Sequence, residues 1–306
     1  VTVVAEVVRS GFVESRHHGS LVALSASGTV LFSVGDVTSP MFPRSSNKPM
    51  QAVGVLRLGI VEKYGLDLRH VTLASASHNG EAAHLEVVRD LLSRAGVPES
   101  SLACPGDHAL SAPGGEKARI LHNCSGKHAS FLAACAANGW PLDGYRSPDH
   151  PLQVYERAVV SELASEEVSA VGVDGCGAPI FALSLPGLAR AFSRIAVAPD
   201  GAESLVAQAI RAHPFLLGGT GRDVTTLLEA VPGLIAKDGA EGVYAAALPD
   251  GTAVALKVED GAQRARAPVM VAALRALGVT VDVPVTEVFG GGEPVGEVRA
   301  VEGLFT

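Results

Sequence analysis

The sequence predicts a mixed α/β (α+β) fold, with a mostly antiparallel sheet formed by strands from both ends of the chain. A helical region fills the middle. Two hairpin signals support this, one near each terminus: Ser25-Ala26-Ser27-Gly28 and Pro249-Asp250-Gly251-Thr252. Between them run helix-like apolar stripes punctuated by proline and glycine. A hydrophobic content of 47% against 18% charged residues is ample for a sizeable core and excludes disorder.

Val3 to Val8 alternates around Glu6 as a strand does. Glu14 to Gly19 reads as a polar break, after which Leu21–Leu24 and Val30–Val34 form the first hairpin. A buried helix follows from Ser45 or Ser46, with Pro49 in its first turn, where a missing N–H costs little. Val71 to Ala74 leads into the loop Ser75 to Gly80, and a helix runs from about Glu81 to Ala95, closed by Gly96. Another helix opens at Asn123 and ends near Asn138. Further helices are expected at 151–166, 184–196, 202–212 and 222–231, with a tight loop over Asp174 to Pro179. Strands return at Val243–Leu248 and Ala253–Val258, then a helix from about Ala265 to Leu277 and a short Val-rich tail. No repeat or linker interrupts the chain, so one domain, 1–306, is expected.

The net charge of −8 gives no electrostatic reason to bind nucleic acid or an anionic membrane. No apolar run reaches the roughly 18 residues of a membrane helix. Glu6, Arg9 and Glu14 interrupt the N-terminal stretch, which does not read as a signal peptide. Four cysteines are too few for a disulfide scaffold, so the cytoplasm is the expected location. Cys135 lies in an apolar run, as a small core residue would.

Three short motifs carry serine chemistry. Ser45 and Lys48 stand three apart, on one helix face, where a lysine with a lowered pKa can take the serine proton. Alone, the pair is equally consistent with a helix cap followed by a surface lysine. Ser77 and Asn79 follow in a loop that capping and turn preferences would also explain. Lys237 and Gly239 precede the last hairpin, where a solvated turn would serve as well. Ser-x-x-Lys, Ser-x-Asn and Lys-x-Gly in that order are the sequence of elements in penicillin-recognising serine enzymes. Two lysines in one cleft would depress each other's pKa.

Cys124, before a helix, and Cys176, in a glycine loop, are soft donors. Their spacing is not that of a zinc finger, and buried thiols are the plainer explanation. His17, His18, His78, His122 and His128 are candidate additional ligands.

The chain resembles the Rhizobium-type L-asparaginases, the asparaginase II family. The resemblance rests on five motifs: Arg16-His17-His18-Gly19, Pro43 to Pro49, Ser77-His78-Asn79-Gly80-Glu81, His122 to His128, and Asp174 to Pro179. It implies a serine β-lactamase-like fold, shared with glutaminases, and hydrolysis of L-asparagine to L-aspartate and ammonia. It implies two serine–lysine tandems, Ser45 with Lys48 and Ser77 with Lys237; Lys257 on a neighbouring strand is the alternative to Lys237. It implies one zinc per chain on Cys124, Lys127 and Cys176, with Asp174 beside it. Arg44, Asn79, Asp174 and His128 are expected to bind substrate, and a homodimer is expected. His78 in place of the acid of Ser-Asp-Asn, and Asp238 in place of the threonine of Lys-Thr-Gly, argue against β-lactam turnover. A glutaminase or other β-lactamase-type serine hydrolase is the alternative enzyme. A non-enzymatic zinc-binding protein is the alternative of another class.

Overall fold

The structure is a computed structural model that describes residues 2–305. Its strands are β1 (Thr2–Arg9), β2 (Phe12–Leu24), β3 (Val30–Val34), β4 (Val171–Val173), β5 (Pro179–Phe181), β6 (Ile235–Gly239), β7 (Val243–Ala247), β8 (Ala253–Val258), β9 (Thr286–Gly290) and β10 (Glu293–Ala300). Its helices are α1 (Lys48–Arg57), α2 (Ile60–Tyr64), α3 (Leu68–Ser75), α4 (Ala82–Arg94), α5 (Ser125–Asn138), α6 (Pro151–Ala164), α7 (Leu185–Val197), α8 (Gly201–Ala212), α9 (Pro214–Leu217), α10 (Asp223–Ala230) and α11 (Gln263–Ala276).

Eight strands form one sheet in the order β6-β7-β8-β2-β1-β10-β9, with β3 also paired to β2. Every pairing in it is antiparallel. Both ends of the chain meet in this sheet, where Ala5 lies opposite Ala300. Helices α1 to α10 intervene between the N-terminal strands and β6, as the sequence predicts.

Two expectations change, and one alternative reading falls. The polar stretch 14–19 is no break but the middle of the thirteen-residue β2, whose first half pairs with β1 and second half with β8. Polar residues there alternate outward, while His17 and Gly19 turn inward. A Cβ at Gly19 would come within 2.5 Å of the Lys257 carbonyl, so only glycine lets the strands approach there. Ile235–Gly239 is a fully buried strand rather than a solvated turn. The Val-rich tail folds into β9 and β10, and β10 closes the sheet against β1.

Buried apolar side chains run continuously from Val4 to Val298. Helix α1 packs against α3, α5, α6 and α8 and is buried nearly all round, as a central helix should be. The turn that precedes it packs on β6 and β7. That places the Ser45 motif between the sheet and the helical layer.

Candidate active site

Residues Arg44–Asn47 form a 3-10 turn that runs directly into α1, with Pro49 in the first helical turn. Gly239 of β6 lies against this turn. A Cβ there would sit 2.6 Å from the Pro43 carbonyl, so the glycine of Lys-x-Gly lets β6 approach the serine turn. Arg44 holds φ +52, in the left-handed region that costs a non-glycine residue of order 1 kcal/mol. In that conformation its Nε donates to Asp174 Oδ1 at 2.7 Å.

Lys48 is buried, and its Nζ donates to Ser77 Oγ at 2.9 Å and to the Ala76 carbonyl at 2.5 Å. Among the described residues, no hydrogen bond joins Lys48 to the side chain of Ser45, which stands only partly buried in the 3-10 turn. The tandem found in hydrogen bonding is therefore Lys48 with Ser77. Steric logic explains it: the lysine stem projects inward from α1 toward the end of α3, where Ser77 begins the loop.

Lys237 is likewise not bonded to Ser77. Its Nζ donates to the Asp238 carbonyl at 2.7 Å and to the Asp238 carboxylate. Burial, with Lys48 and Arg222 nearby, lowers its pKa to about 8 although Asp238 opposes the shift. Lys257 points elsewhere, donating to the Glu241 and Val258 carbonyls, and is no rival for the site.

Asn79 does not offer a free amide to substrate. Its Nδ2 donates to the Thr220 carbonyl at 2.9 Å, and its Oδ1 accepts from Arg222 at 3.3 Å. Gly219 wraps this side chain at φ +121, where a Cβ would come within 2.7 Å of Nδ2. Asn79 thus anchors the 218–222 loop. Arg222, which no sequence pattern singled out, also donates to the Ser77 carbonyl at 3.0 Å and to Asp238 Oδ2 at 2.8 Å. Arg266 donates to the same Asp238 oxygen at 2.9 Å. Three cations around one buried carboxylate hold Asp238 ionised, far below the usual carboxylate range despite burial. This network ties the loop bearing Ser77 to the strand bearing Lys237.

The cysteine motifs converge on the same region. Lys127 Nζ lies 3.3 Å from Cys176 Sγ, and Cys176 Sγ lies 3.8 Å from Asp174 Oδ2. The hydrogen bond from Cys124 and the charge of Lys127 hold Cys176 as a thiolate against burial. Lys127 is correspondingly pushed up, because Cys176, Cys124 and Asp174 outweigh its burial. His128 is fully buried, its Nδ1 2.5 Å from Tyr145 Oη, and burial lowers its pKa to about 4. It lies inside the cysteine cluster, on the helix that carries Lys127. His78 is also buried; Nδ1 accepts from the Gly80 N–H, so Nε2 donates to Ser125 Oγ.

Two sulfurs and one lysine amine suit a borderline metal such as zinc. Among the described residues no group of three or more His, Cys, Asp or Glu side chains is placed to hold a metal.

Taken together, Lys48–Ser77, Lys237–Asp238, Arg44–Asp174 and the Cys124–Lys127–Cys176 cluster are linked neighbours. Among solved structures the fold is similar to a β-lactamase from Mycobacterium bovis, at 16% identity over 80% of this chain and 88% of that one, with a TM-score of 0.44. It is also similar to a peptidoglycan synthesis regulatory factor from Streptococcus pneumoniae, at 14% identity over 93% and 86% of the two chains, with a TM-score of 0.38. No curated protein matches the chain. The model of the L-asparaginase II family matches residues 5–300, and the chain therefore belongs to that family.

Proposed function

We propose that the protein is an L-asparaginase, hydrolysing the side-chain amide of L-asparagine to L-aspartate and ammonia through a serine acyl-enzyme. The observation that carries this is the buried Lys48–Ser77 hydrogen bond, set behind a partly open Ser45 and beside Lys237. A protein that merely bound zinc would need no such pair. Arg44 and Asp174, ion-paired and partly exposed, match the α-carboxylate and α-ammonium of a free amino acid.

Ser45 Oγ attacks the carboxamide carbon while Lys48 takes its proton. Backbone N–H groups of the 44–47 turn stabilise the oxyanion. As the C–N bond breaks, the proton passes from Lys48 through Ser77 Oγ to the departing nitrogen, which leaves as ammonia. Water then cleaves the Ser45 ester, releasing aspartate and returning a proton to Ser45. The 2.9 Å bond also favours a second reading, in which Ser77 is acylated. Mass spectrometry of the trapped acyl-enzyme distinguishes the two.

We propose that Cys124, Lys127 and Cys176 hold one zinc ion. The closeness of Lys127 Nζ and Cys176 Sγ, 3.3 Å apart, supports that donor set, and binding would displace the lysine proton. When bound, zinc would supply Lewis-acid polarisation of a carbonyl or water. The continuous core supports a single domain, 1–306. Four free, buried cysteines support a cytoplasmic location. No helix among the described residues is long and apolar enough to cross a membrane. A homodimer is proposed from the family, and light scattering tests it. The defining experiment measures ammonia release from asparagine and from glutamine, alongside nitrocefin hydrolysis. Turnover of asparagine above the others is expected; preference for glutamine or nitrocefin would overturn the substrate assignment.

A further inference from the structure

Behind Lys48, polar side chains crowd a region that ought to be apolar. Gln51 and Asn47 on or beside α1, Ser75 at the end of α3, and Gln153 and Glu156 on α6 are all essentially inaccessible to solvent. Asn47 Nδ2, both amide atoms of Gln51, Ser75 Oγ, Gln153 Oε1 and both carboxyl oxygens of Glu156 lack any hydrogen-bond partner in the protein. Buried polar atoms are normally satisfied, and each orphan costs about 1–3 kcal/mol. Seven orphan atoms on five side chains of α1, the turn before it and two helices packed on it are a pattern rather than an accident.

The chain makes room for it. Gly54 of α1 faces the Glu156 carboxyl, and a Cβ there would come within 2.5 Å of Oε1. Gln51 lies one turn beyond Lys48 on α1, and Ser75 directly precedes Ala76, whose carbonyl Lys48 holds. The orphans comprise donors, on Asn47 and Gln51, as well as acceptors. A bare cation would satisfy the acceptors alone. Water satisfies both kinds.

We propose that α1, α3 and α6 enclose an internal site for ordered water, lined by Asn47, Gln51, Ser75, Gln153 and Glu156, immediately behind the Lys48–Ser77 pair. Glu156 serves it as the uncharged acid, an O–H donor. Burial drives the carboxyl well above its usual range, and from the elements packed on α6, namely α1, α5, α7 and β5, only the charge of Lys127 bears on it. The consequence for catalysis rests on the asparaginase reading: water bonded to Asn47 and Gln51, which flank Lys48 on the chain, would hold the lysine's helical turn in place. The water site itself does not rest on that reading.

Two readouts independent of activity test the site. A high-resolution crystal structure of the wild-type protein should show at least one ordered water bonded to Glu156 and Gln51. Infrared difference spectra between wild type and Glu156→Gln at pH 7 should contain the carbonyl band of a protonated carboxylic acid. Glu156→Gln, neutral and still able to bond water, should keep its rate within about twofold, whereas Glu156→Leu, folded by circular dichroism, should fall about tenfold or more. Side chains bonded directly to one another with no water, or an ionised carboxylate in the spectra, overturns the proposal. A normal water site and acid band with no asparagine turnover in any variant would instead overturn the activity.

Discussion

Lys48 of α1 donates a 2.9 Å hydrogen bond from its side chain to Ser77 Oγ, across 29 residues of sequence, while among the described residues its Nζ makes none to the side chain of Ser45. Lys48 thus stands between a serine its side chain is bonded to and a serine three residues before it on the chain.

Ser45→Ala and Lys48→Met should each reduce asparagine turnover by about three orders of magnitude or more while the fold stays intact, and the double variant should be little worse than either single one. Ser77→Ala should lower kcat more than KM, since its hydroxyl bridges Lys48 and the leaving group. Steady-state kinetics check this. Ser45→Ala retaining more than about a tenth of the rate, with Ser77→Ala inactive, would transfer the nucleophile to Ser77.

Lys237, with a pKa lowered to about 8, loses its proton across the range where the rate is expected to climb. Activity should rise from pH 6 through pH 8. Removing the Asp238 charge takes away an interaction that favours the ammonium, so Asp238→Asn should move this limb to lower pH. A pH–rate profile of both proteins checks the direction. Stability follows the same sign. The unfolded chain, with lysine near about 10.4, binds more protons than the folded one between pH 8 and that value, so Lys237's contribution rises with pH there.

Arg222 joins Ser77, Asn79 and Asp238. Arg222→Ala should cost about 2–3 kcal/mol in urea unfolding, because hydrogen bonds to the buried Asp238 carboxylate are lost. It should also cut activity by loosening the Ser77 loop. An unchanged midpoint would show that Arg266 and Lys237 satisfy Asp238 by themselves.

Elemental analysis should find about one zinc per chain. Cys124→Ser and Cys176→Ser should lose it and Cys135→Ser should keep it, since Cys135 is packed in the core of α5. Loss should also follow acidification, as protons compete for the thiolate and amine donors. Equal zinc in all three variants would exclude the site.

The periodicity of apolar residues determined most of this molecule. Hairpins around Gly28 and Gly251, the helix from Ala82 to Arg94 and the sheet shared by both termini were legible because burial writes itself into spacing. The serine, lysine and cysteine motifs were legible because several short motifs occur together in one order along the chain. Glu156 also left a trace, as an acid on the apolar stripe of Leu152, Val159 and Val160. What the tertiary structure decided was partnership. Polar continuity hid β2, because outward charges on a paired strand look like a break. Ser77 rather than Ser45 meets the lysine, Asn79 spends its amide on Thr220 and Arg222, and His128 faces Tyr145. These contacts join distant segments, and which donor reaches which acceptor depends on how α1, α3, α5 and β6 pack, a relation that local spacing along the chain does not encode.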